Sequence, residues 1–156
     1  MGLIYDGLLN FLRQDEWPIH EIGDGITIST AFEGQDERWA CVAQAVEEAD
    51  IVLFYSTLPI EVPATRRDEM AKFLCYLSYT VPTGCFEISR EDGDVRFKTS
   101  LSVLGLPESA LKNEILPQLI KNVVYNNVLT MEAHIDAVQA VINGEDPVQV
   151  LEALSA

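Results

Sequence analysis

Residues 50 to 58 read "DIVLFYSTL", and the five consecutive apolar side chains from Ile51 to Tyr55 leave few choices of fold. In an extended strand successive side chains alternate, so Ile51, Leu53 and Tyr55 point one way while Val52 and Phe54 point the other. A strand that is apolar on both sides belongs inside a sheet and calls for a cover on each face. The preceding run, "RWACVAQAVE", has the same two-sided character. "PIEVP" at 59 to 63 ends the segment, because proline cannot donate to a ladder and biases the residue before it away from helix.

Two hairpins flank this pair. "IHEIG" and "GITISTAFEG" place Ile26, Ile28 and Phe32 on one side of a strand with Thr30 between them, and "GDG" at 23 to 25 is the turn that joins the two runs. Further on, Phe86 and Ile88 alternate with Glu87 and Ser89, and Val95, Phe97 and Thr99 alternate with Arg96 and Lys98. "DG" at 92 and 93 is the signature of a two-residue type I′ turn. That turn sets Ile88 opposite Phe97 on the buried face and Glu87 opposite Lys98 on the exposed face, a favourable cross-strand charge pair.

Helical periodicity marks the remainder. Leu3, Ile4, Leu8, Leu9, Phe11 and Leu12 give an amphipathic helix over 3 to 15, closed by "EWP" and weakened slightly by Gly7. "TRRDEMAKFLCYLSY" carries Met70, Phe73, Leu74 and Leu77 on one stripe, with Thr65 and Asp68 at capping-box spacing. From Pro117 to Ile142 one apolar stripe persists with Asn127 as its single polar interruption, a helix of about 40 Å at 1.5 Å per residue. A shorter helix is expected over "PVQVLEALS". The order α-β-β-β-β-α-β-β-α is an α+β layout, an antiparallel sheet with helices packed on it, in one domain spanning 1–156. Helices confined to one face leave the other to the terminal helices or to a second subunit.

Charge and chemistry narrow the function. With 25 acidic residues against 10 basic ones and a net charge of −15, the surface repels phosphate backbones and anionic lipid, so neither nucleic acid nor membrane is an expected partner. The N-terminus lacks the basic lead-in of a secretory signal, and Cys41, Cys75 and Cys85, odd in number and without metal spacing, read as reduced thiols of a cytoplasmic protein, packed in its core. Glu91, Asp92 and Asp94 miss calcium-loop spacing, since counting from Asp92 puts Arg96 at the fifth position, and a solvent-facing turn gives carboxylates no desolvation for acid–base work. His20 and His134 lie in different elements and form no zinc motif, and "GDG" lacks the third glycine of a dinucleotide loop. No catalytic residue, metal ligand or cofactor site is expected, and the chain does not read as an enzyme. Arg66 and Arg67, adjacent bases in an acidic chain, have two readings: a grip on a carboxylate or phosphate ligand, or a solvated helix face answering Asp68 and Glu69.

Three segments, "FYSTLPIEVPATRRDEMAKFLCYLSY", "GCFEISREDGDVRFKTSL" and "NVVYNNVLTMEAHIDAVQAVINGEDP", resemble the YbjN family of bacterial proteins, which carry the label of sensory transduction regulators. The resemblance runs from about residue 20 to 150 and is most specific where the "EDGDVRFKTS" hairpin is coupled to "NNV.TM" of the long helix. It implies a fold similar to class I type III secretion chaperones, antiparallel strands with three helices, paired as a homodimer. It supplies no catalytic residues. "LSVLGLPESALKNEILP" is longer than the family's usual link and reads as an insertion. The expectation is a cytoplasmic, non-enzymatic protein-binding module with a regulatory or chaperone-like role, the alternative being a small-anion sensor at Arg66 and Arg67.

Overall fold

The computed structural model describes residues 2–156. Six strands form one antiparallel sheet in the order β1-β2-β3-β4-β6-β5: β1 (His20–Glu21), β2 (Thr27–Glu33), β3 (Arg38–Val46), β4 (Ile51–Thr57), β5 (Cys85–Ile88) and β6 (Val95–Ser102). The helices are α1 (Leu3–Gln14), α2 (Arg67–Tyr79), a short α3 (Glu108–Leu111), α4 (Ile115–Ile142) and α5 (Pro147–Ser155). The α+β order holds, with α3 and α5 added to the three helices that the resemblance implies. α3 lies inside the segment read as an insertion.

Strand alternation sorts the sheet into two unlike faces. Ile28, Trp39, Cys41, Ala43, Ala45, Val52, Phe54, Val95 and Phe97 are all buried on the face that α1, α2 and α4 cover. Their counterparts on the opposite face are half-buried or exposed, apart from Tyr55. β4 is thus apolar on both sides, as its sequence requires, yet only one side is covered within the chain. α1 crosses α4 at Gly7, where a Cβ would stand 2.6 Å from Leu116 Cδ2, so the glycine that weakens the isolated helix is the one that lets the two helices approach.

The β5–β6 hairpin differs from its predicted register. Ile88 faces Val95 and Phe86 faces Phe97, so the pairing is shifted by two residues. The loop comprises Arg90 to Gly93, closed by Ser89 N–H to the Asp94 carbonyl at 2.9 Å and Gly93 N–H to the Ser89 carbonyl at 3.0 Å. Only Gly93 takes positive φ, at +80°, and a type I′ turn needs it at both centres. The cause is tertiary: Val62 N–H bonds the Gly93 carbonyl at 2.9 Å, and a Cβ on Gly93 would lie 2.2 Å from Val62 O. Because the side-chain period is two, a two-residue shift returns every side chain to its predicted face. The capping box at Thr65 does not form either. Ala64–Arg66 makes a 3-10 turn instead, and α2 begins at Arg67 with no side-chain cap.

At the centre of the covered face stands Asn127, fully buried on α4. Its Nδ2 donates to the carbonyls of Phe54 on β4 and Phe97 on β6, each at 2.9 Å, and to Thr99 Oγ1 at 3.2 Å. Its Oδ1 accepts from Ser56 Oγ at 2.6 Å, and that hydroxyl accepts from Trp39 Nε1 at 2.9 Å. Thr99 in turn donates to the Val123 carbonyl at 2.9 Å. Each strand carbonyl has a second lone pair, so the amide adds to the ladder without taking a bond from it. Replacing Asn127 with Ala leaves buried partners unmatched beside a small cavity and should cost about 3 kcal/mol. A urea denaturation midpoint unchanged within error would refute this role.

Candidate functional site

The face of the sheet turned away from the helices carries a side-chain pattern set by the strand register. Cross-strand register sets Val46 beside Ile51, Gln44 beside Leu53 and Val42 beside Tyr55. Ile51, Leu53 and Tyr55 of β4 with Val42 and Val46 of β3 form an apolar centre, interrupted on β3 by the polar Gln44. Around it lie Thr27, Ser29, Ser100 and Ser102 from the neighbouring strands. The charge of this face runs against that of the molecule. It holds two carboxylates, Glu33 and Glu87, against three bases, Arg38, Arg96 and Lys98, on a chain of net charge −15.

Those charges are paired. Glu87 accepts from Arg96 Nε, directly opposite, at 2.9 Å and from Lys98 Nζ, one diagonal step along β6, at 2.8 Å. The expected Glu87–Lys98 contact therefore survives the register shift. Partial burial pushes the Glu87 carboxyl up, but the hydrogen bonds and charges of Lys98 and Arg96 outweigh it and hold the group below its ordinary value. The same hydrogen bond raises Lys98. Arg96 also lies over the Tyr55 ring, 4.1 Å from its centroid, which helps to explain why Tyr55 is the one buried residue of this face.

Arg66 and Arg67, adjacent in sequence, are sent to different places. Arg66 donates from Nη1 to the Ile142 carbonyl at 2.8 Å and from Nη2 to the Val141 carbonyl at 2.7 Å, with Glu69 3.6 Å from its Nε. It caps the carbonyl end of α4, where a positive charge also meets the negative pole of the helix. Arg67 donates from Nε to the Val62 carbonyl at 3.0 Å and from Nη1 to the Arg90 and Glu91 carbonyls at 3.0 and 2.9 Å. It ties α2 to the acidic hairpin loop. The pair does not converge on one concavity.

The acidic loop spends Asp92 on its own backbone: Asp92 Oδ1 accepts from Asp94 N–H at 3.0 Å. Desolvation and the neighbouring Asp92 charge raise Asp94. His20 sits on β1 and His134 packs against Phe86 of β5, so the two histidines mark opposite edges of the sheet. Cys85 is on the open face while His134 is on the helix face. The thiols depart from the expected core packing. Only Cys41 is buried, and burial pushes it up to about 12; Cys75 and Cys85 are exposed because they fall outside the apolar stripe of α2 and on the open side of an edge strand. No group of three or more metal-ligating side chains occurs among the described residues.

A family profile described as "Putative bacterial sensory transduction regulator", YbjN, matches residues 5–140. The chain belongs to the YbjN family. A crystal structure of YbjN from E. coli, described as "a putative transcription regulator", is similar over 86% of this chain and 93% of its own, at 16% sequence identity and a TM-score of 0.49. No curated protein matches. The segments that carry the YbjN resemblance meet physically in this chain. Asn127 of "NNVLTM" bonds Phe54 and Ser56 of "FYSTL" and Phe97 and Thr99 of "RFKTS", and Arg66 and Arg67 bond the other two segments. The profile spans all six strands and nearly all of α4, and stops short of α5. Sequence periodicity marks Asn127 only as a break in an apolar stripe. Its bonding partners follow from the crossing of α4 over β4 and β6.

Two outcomes test these assignments. The lowered Glu87 carboxyl binds protons less readily in the folded state than in the unfolded one, so its stabilisation is complete above about pH 5 and is lost as pH falls through the folded value. Glu87→Gln should cost about 0.5–1 kcal/mol at pH 7, solvent screening included, and the deficit should shrink as pH falls through the folded value. A deficit independent of pH would show that packing, not charge, is what the residue supplies. Separately, a thiol reagent applied to the native protein should modify Cys75 and Cys85 and spare Cys41 until denaturant is added.

Proposed function

We propose that this YbjN-family chain is a non-enzymatic regulator that acts in the cytoplasm by binding protein, and that its open sheet face is the contact surface, joining two copies as a homodimer. The observation that carries the reading is the uncovered apolar centre formed by Val42, Val46, Ile51 and Leu53, with Tyr55 beside it under Arg96. An antiparallel sheet with one solvated face ordinarily sets polar side chains there, and a contiguous apolar group is the mark of a surface that meets another. Charge supports the same reading. Two copies each carrying −15 repel over most of their surfaces, whereas this face bears nearly balanced, internally paired charges and is where they approach at least cost. The three unpaired thiols accord with a reducing compartment. Among the described residues no helix is long and apolar enough to cross a membrane.

The test is mass in solution. Size exclusion with light scattering at micromolar concentration should give twice the 17.3 kDa chain mass, and Leu53→Glu should give the chain mass with little change in thermal stability. A monomeric wild type, or a Leu53→Glu variant still dimeric, overturns the assignment of this face.

A further inference from the structure

A concavity lies at the border of the open face, where β1 stops short and leaves the outer edge of β2 unpaired beyond Ser29. Pro18, which has no N–H to offer, precedes β1 and stands at the border. The cleft is open to solvent and offers about 390 Å³, within the volume range of small-ligand sites. Its wall carries three aromatic side chains, Trp17, Phe32 and Tyr125, with ring centroids of Trp17 and Phe32 5.6 Å apart and of Trp17 and Tyr125 6.4 Å apart. Carboxylates from Asp15, Glu16 and Glu33 share the lining with one base, Arg38, which lies 3.7 Å from Glu33.

The polar groups are arranged to keep negative charge in place. Asp15 Oδ2 accepts from Trp17 Nε1 at 2.8 Å and from the Tyr125 hydroxyl, both neutral donors that orient the carboxylate without cancelling its charge. That hydrogen bond and partial burial push the Tyr125 hydroxyl up to about 12, so it remains a donor throughout the physiological range. Glu16 occupies the left-handed position after α1 with φ +61°, where glycine is the usual choice, while Trp17 N–H closes the helix on the Leu12 carbonyl at 2.9 Å. A carboxylate is thereby held at the rim at some cost in backbone strain.

Aromatic faces attract cations through their quadrupole, and carboxylates attract them directly; the same lining disfavours phosphates and carboxylates. We propose that this cleft binds an organic cation with a compact alkylammonium head. The cleft shares Glu33 and Arg38 with the border of the open sheet face, while Asp15, Glu16, Trp17 and Tyr125 come from outside the sheet.

The probe is choline, followed through the indole N–H resonance of Trp17, with the neutral isostere 3,3-dimethylbutan-1-ol as control. Trp39 supplies an internal reference, because its indole N–H is buried against Ser56. Choline should shift the Trp17 signal saturably, the isostere should bind at least about tenfold more weakly, and Phe32→Ala and Glu16→Gln should each weaken choline by a factor of about three to ten. Glu16→Gln is an exposed, near-isosteric change that keeps the test valid if Phe32→Ala fails to fold. N-acetyl-trimethyllysine methylamide separates the sources: tighter binding than choline identifies a modified side chain, and weaker binding a free small molecule. Absence of saturation by both cations, or equal binding of the neutral isostere, overturns the proposal.

Discussion

One buried amide holds the arrangement together. Asn127 reaches from α4 to main-chain carbonyls on two adjacent strands and to the hydroxyls of Ser56 and Thr99, and through Ser56 to the indole of Trp39. A polar side chain in such a position is costly unless every atom is matched, and matching fixes the depth and rotation of the helix on the sheet in a way that apolar contact, being non-directional, does not. The amide nitrogen faces acceptors and the amide oxygen faces a hydroxyl donor, so a helix turned by one residue would leave both unsatisfied.

Given that placement, the asymmetry of the sheet follows. α1 and α4 cover β3, β4 and β6 while α2 covers β5, all on the same side. The opposite face gathers three of the chain's ten basic residues and only two of its 25 acidic ones. The acids are concentrated elsewhere, on helix exteriors, loops and the rim of the aromatic cleft. Two chemically distinct surfaces, one nearly neutral and flat and the other anionic and concave, arise from a single sheet.

Much of this is legible in the residues because local periodicity decides it. Alternation in "DIVLFYSTL" separates Val52 and Phe54 from Ile51 and Leu53, and the stripe of Met70, Phe73, Leu74 and Leu77 identifies the buried side of α2. What escapes is governed by contacts distant in sequence. The hairpin loop takes its length from Val62, some thirty residues away, and "DG" carries no trace of that partner. Arg66 and Arg67 read as a pair only in one dimension, since adjacent positions at the start of a helix diverge and each finds carbonyls belonging to another element. The cleft of Trp17, Phe32 and Tyr125 draws on α1's end, β2 and α4, and no local pattern joins them.

The position of Asn127 along the chain has a bearing on synthesis. The last strand, β6, is finished at Ser102, and some two dozen residues must still be added before the asparagine leaves the ribosome. During that interval Phe54, Phe97 and their neighbours have a complete ladder and no lid. A nascent chain in this state offers a sticky apolar layer to whatever is nearby, so the protein becomes safe from aggregation only late in its translation.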